Sequence, residues 1–134
     1  MQKKLLVIGT ALLLTALGVA SLTGQKKAEA QMDTVPIFCN LAAMTPAQRQ
    51  QYSQIKTRLR VSVQEVKELP DGYAFRYKPN PSVFMEAAEF VTLESRCCPF
   101  FSFTLESRHN GGPVWLRITG PKGAKPFIKE ALAC

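Results

Sequence analysis

The sequence predicts a small α+β domain, an antiparallel-rich sheet of three strands with helices on one face, and three observations carry that reading. Two stretches, about 46–68 and 83–96, repeat apolar residues every three or four positions, as amphipathic helices do. Three short stretches, 73–78, 101–106 and 114–119, alternate apolar with polar residues, the two-residue period of half-buried strands. Proline, glycine and asparagine clusters separate these segments. The resulting order, helix-strand-helix-strand-strand-helix, suggests a ferredoxin-like βαββα core preceded by one extra helix.

Residues 31–44 form an irregular lead-in that carries Cys39, and Pro36 forbids a continuous helix there. The domain proper, 45–134, opens with Thr45-Pro46-Ala47-Gln48, a capping box with proline at the first helical position. Tyr52, Ile55, Leu59, Val63 and Val66 then form one stripe, with Arg49, Lys56, Arg60 and Lys67 on the wet side, so the first helix is expected over 46–68 and to stop at Leu69-Pro70-Asp71-Gly72. Tyr73, Phe75 and Tyr77 face one side of a strand that Pro79-Asn80-Pro81-Ser82 ends. Val83, Ala87, Phe90 and Val91 make the core stripe of the second helix, and Pro99 prevents its extension. Asn110-Gly111-Gly112-Pro113 joins two alternating runs into a β-hairpin. A last helix over about 124–133 turns Phe127, Ile128, Ala131 and Leu132 inward.

The first 30 residues are a targeting segment. Lys3 and Lys4 precede an apolar run over residues 5–22, and Ala28-Glu29-Ala30 has the small residues of a signal-peptidase site, so the mature chain would begin at Gln31. The rival reading keeps the run as an inner-membrane anchor, since a helix of that length at about 1.5 Å per residue reaches roughly 27 Å. Either way the domain is expected to be exported, periplasmic or secreted, and to meet the membrane only through that N-terminal segment. Removing residues 1–30 takes away four lysines and one glutamate, so the net charge of +7 falls to +4. The remaining basic residues are scattered, without the dense run that neutralises many phosphates, which argues against a nucleic-acid partner.

The chemistry concentrates in the cysteines. Cys97 and Cys98 are adjacent, and across one trans peptide their Cα atoms stand about 3.8 Å apart, below the roughly 4.4–6.8 Å of ordinary disulfides. Setting that pairing aside leaves Cys39 with Cys97 and Cys98 with Cys134, or Cys39 with Cys98 and Cys97 with Cys134. Such staples suit an exported domain that binds an unknown small partner. A sharper reading starts from Glu94, three and four residues before the pair, which continues the apolar stripe and so aims a carboxyl inward beside two thiols. Phe100 and Phe101 would keep that pocket dry. A buried carboxylate needs a partner, and a cation held by thiolates supplies one. Thiolates favour Cu(I) or Zn(II), and by the same softness Hg(II), with Cys39 as a third ligand. No catalytic residue is assigned. A thiol enzyme is the weakest reading, because no Cys-x-x-Cys motif is present, a neighbouring carboxylate disfavours a thiolate, and the lone His109 falls in a turn. Trp115 reads as packing, and Gly120-Pro121-Lys122-Gly123 lacks phosphate-loop spacing.

Cys39-Asn40-Leu41, the Leu69 to Arg76 segment, the Glu-x-x-Cys-Cys-Pro-Phe stretch from Glu94 and the Leu116 to Pro121 segment together resemble a group of small, largely uncharacterised bacterial proteins associated with heavy-metal resistance settings. The resemblance covers nearly the whole mature domain. It implies ligand roles for Cys39, Cys97 and Cys98, and it assigns none to Cys134.

Overall fold

A computed structural model of the chain describes residues 36–132. The targeting segment, its cleavage site and Cys134 lie outside the described residues. A 3-10 turn, Leu41–Ala43, leads into α1 (Pro46–Ser62), β1 (Glu65–Leu69), β2 (Gly72–Tyr77), α2 (Pro81–Cys97), β3 (Ser102–Ser107), β4 (Val114–Thr119) and α3 (Lys125–Leu132). The α+β class stands. The sheet has four strands in the order β1-β2-β4-β3, every neighbouring pair antiparallel.

The extra strand corrects the expected first helix. The Thr45 capping box forms as the sequence predicts, but α1 ends at Ser62 and Val63 already has extended backbone. The next residues pair instead with β2, Glu65 opposite Arg76 and Leu69 opposite Gly72, after a bond from the Gln64 amide to the Arg76 carbonyl. Pro70-Asp71 is therefore a hairpin turn and not a helix stop. Val66, placed by periodicity in the core, is 43% exposed.

The ferredoxin-like expectation holds for β2-α2-β3-β4-α3, because β4 inserts between β2 and β3. The edge beside β2 is filled by β1, a strand that precedes this unit in the chain, so the connectivity is a permuted form of the ferredoxin-like order. Gly72 allows the central strands to meet at that edge. A Cβ there would stand 2.0 Å from the Ile118 carbonyl oxygen.

Phe75, Tyr77, Val114, Leu116 and Ile118 are buried, with Phe90 of α2 and Ile128 and Leu132 of α3 in the same cluster. Both helices pack on the sheet, and α1 packs against α2 and α3 through Tyr52, Ile55 and Leu59. Tyr52 stacks on Phe90 at 5.8 Å between ring centroids. On the other sheet face Glu65 pairs with Arg76, and Glu106 pairs with Arg117. Trp115 is covered there by Lys67, whose ammonium lies 4.9 Å from the ring centroid, so it is packing as predicted.

Candidate metal centre

The site forms where α2 ends. Cys97 is the last helical residue and Cys98 the C-cap, whose amide donates to the Glu94 carbonyl. Pro99 has no amide proton and cannot extend the helix, so the chain turns and the Phe101 amide bonds the Cys98 carbonyl. The lead-in is tied to the same point by the Asn40 amide, which donates to the Cys97 carbonyl at 2.7 Å. The Asn40 side chain then accepts from the Ala42 amide and caps the short turn. These bonds bring Cys39 back to the helix end.

Cys39 and Cys98 are joined in a disulfide across 59 residues of sequence. Of the two pairings left open, only the second contains this bond; Cys97 is a free, buried thiol among the described residues. The Cys97 sulfur lies 3.5 Å from that of Cys98. All three sulfurs fall within 4.8 Å of one another. Thiolates bound to one tetrahedral zinc at about 2.3 Å are separated by about 3.8 Å, so two-electron reduction of the disulfide by an external thiol would release two sulfurs beside Cys97 to complete a three-sulfur site. Cys39 is exposed, while Cys97 and Cys98 are each 1% exposed.

Glu94 is buried, as its stripe position requires, and lines the same cavity as the three cysteines, outside the three-sulfur group. Its Oε2 has no hydrogen-bond partner. Burial raises its pKa, and the Tyr52 hydrogen bond and the Lys56 charge act in the opposite direction. The Cys97 thiol is pushed up to about 11, first by burial and then by the neighbouring Glu94 charge. Such a thiol stays protonated at neutral pH and is a poor nucleophile, which argues against an exchange enzyme. A metal would have to displace its proton.

The sulfurs open into a cavity of about 460 Å³. Tyr52 and Lys56 of α1 line it, together with Ile37, Phe38 and Leu41 of the lead-in and Phe127, Glu130 and Ala131 of α3. Lys56, assigned to the wet face by sequence, is half-buried here. The signal that could have found this pair is the inward Glu94, since a buried carboxyl demands partners and the α1 stripe was the nearest candidate. Phe100 and Phe101 are buried but do not line the cavity; Phe100 packs edge-on against Phe127, which does. His109 lies away from the site in the β3–β4 turn.

Comparison with known protein families, curated proteins and solved structures finds no match to this chain. The functional reading therefore rests on the site itself. Among the described residues no helix is long and apolar enough to cross a membrane.

Proposed function

We propose that this is an exported soft-metal-binding domain whose ligands are the thiolates of Cys39, Cys97 and Cys98, with Glu94 as a supporting carboxylate. The observation that carries the reading is the third sulfur. A staple needs two cysteines, yet a third buried thiol sits within 3.5 Å of the bonded pair, beside a buried carboxyl with an unpartnered oxygen. Both features find a use when one thiophilic cation, Cu(I), Zn(II) or Hg(II), occupies the site. The disulfide is then the oxidised, closed form.

The test is a competition titration of the reduced protein with these three ions. One ion per chain is expected, with a sharp loss of affinity on replacing Cys39, Cys97 or Cys98 by serine and little change on Cys134→Ser. Glu94→Gln should cost about 10 to 100-fold, as changes behind the ligands do. Equal affinity in the wild type and the Cys97, Cys98 double serine variant would exclude the site.

A second reading is favoured by the disulfide itself. In an oxidising compartment the Cys39–Cys98 bond would persist as a staple fastening the lead-in to α2. Reduction at physiological glutathione potentials separates the two, because a staple stays closed and a metal site opens.

A further inference from the structure

We infer that the ligand of this site is a soft metal ion carrying an organic substituent, of the monoaryl or monoalkyl class, rather than the bare ion. The inference rests on the three-sulfur reading above and adds what fills the space beside the sulfurs.

That space is too large for an ion alone. An enclosed apolar cavity of about 150 Å³ already holds benzene, and this open cleft, with both apolar and charged walls, offers about 460 Å³. Its lining is mixed. Tyr52, Lys56 and Glu94 of α1 and α2 contribute polar atoms, and so does Glu130 of α3, whereas Phe38 and Leu41 of the lead-in and Phe127 of α3 contribute apolar surface. Phe38 and Leu41 are 55% and 51% exposed, an unusual outlay of large apolar side chains on residues flanking Cys39 in the chain. A bare ion on the sulfurs would leave water against this apolar surface. An organic group on the metal would cover it, gaining roughly 25 cal/mol for each Å² removed from water.

The two parts of such a ligand match the two parts of the site. After an external thiol has reduced the Cys39–Cys98 disulfide by two electrons and two protons and is itself oxidised to a disulfide, metal–thiolate bonds form as the three thiols lose their protons, with no change in the oxidation state of the metal. The metal–carbon bond remains intact. Glu94 Oε2, buried and unpartnered at the cavity wall, supplies a polar group for the cationic end.

The test compares phenylmercury(II) with inorganic Hg(II) on the reduced protein, by competition against a small dithiol. Leu41→Ala and Phe38→Ala, together and singly, are the informative variants. Both positions are exposed, so thermal unfolding should stay near wild type and report that the fold is intact. Phenylmercury affinity should fall by about tenfold for each substitution, with Hg(II) affinity unchanged within about twofold. If Hg(II) binds the wild type tightly but phenylmercury affinity is the same in wild type and the double variant, the organic-ligand inference is overturned and the metal site stands. If neither species binds more tightly to wild type than to Cys97→Ser, the metal reading itself has failed.

Discussion

The Cys97 thiol is held 3.5 Å from the sulfur of Cys98, although Cys98 is already bonded to Cys39. A reactive thiol in that position would exchange with the disulfide, and this one is suppressed by burial and by the charge of Glu94.

Alkylation of Cys97 by iodoacetamide in the oxidised native protein should accordingly be slow at neutral pH and rise about tenfold per pH unit until the thiol ionises near pH 11. Glu94→Gln removes a repelling charge and should move the profile to lower pH. Rapid labelling of the native protein at neutral pH would contradict the burial argument.

Cutting the disulfide should loosen the whole domain. The bond closes a loop 59 residues long in sequence separation, for which chain entropy predicts a loss of roughly 4 kcal/mol on Cys39→Ser. Denaturant unfolding of the oxidised proteins measures it. Reduced wild type and reduced variant should coincide, and a difference of the same size between them would assign the effect to packing instead.

Glu94 should make stability fall as pH rises. Its carboxyl pKa is raised by burial above the ordinary 4.5, against the smaller opposing effects of Tyr52 and Lys56. A group that holds its proton more tightly when folded adds stability below its unfolded pKa, and that contribution is lost as pH climbs through the raised folded value. Glu94→Gln has no such proton. The stability of wild type minus that of the variant, from urea midpoints, should therefore be greatest below the ordinary carboxyl range and shrink as pH climbs through the raised folded value. A difference that grows with pH would mean the ionised carboxylate is the favoured form.

At the hairpin edge, Gly72→Ala places a methyl against the Ile118 carbonyl oxygen at 2.0 Å, a backbone atom that cannot swing aside. A loss of at least about 1–3 kcal/mol is expected. Thermal unfolding near wild type would show that β2 and β4 are not so close.

The N-terminal segment makes its own prediction. Exported protein from the native host should have the mass of a chain beginning at Gln31, and a full-length mass in the membrane fraction would favour the anchor.

The helices and three of the strands were legible in the sequence because their determinants are local. Thr45, Pro46 and Gln48 cap α1 through neighbours in the chain, and Asn110 and Gly111 adopt the positive φ that the hairpin turn needs. Glu94 was likewise readable, since its place on the α2 stripe follows from helical period. The strand 65–69 was not. Val63 and Val66 continue the period of α1, and Leu69-Pro70-Asp71-Gly72 reads equally as a helix stop or a hairpin turn. What decided it was the hydrogen bonding offered by β2, where Glu65 meets Arg76.

The cysteines divide along the same line. By itself the sequence determined that Cys97 and Cys98 stand together beside Glu94 at a helix end, because Pro99 and the i to i+3 and i+4 spacing require it. Which of them Cys39 joins was settled only in three dimensions, where the bond from the Asn40 amide to the Cys97 carbonyl sets the lead-in against the helix terminus. The cavity beside the sulfurs has the same origin: its walls come from the lead-in, α1, α2 and α3, and no local rule of sequence fixes how separate elements pack.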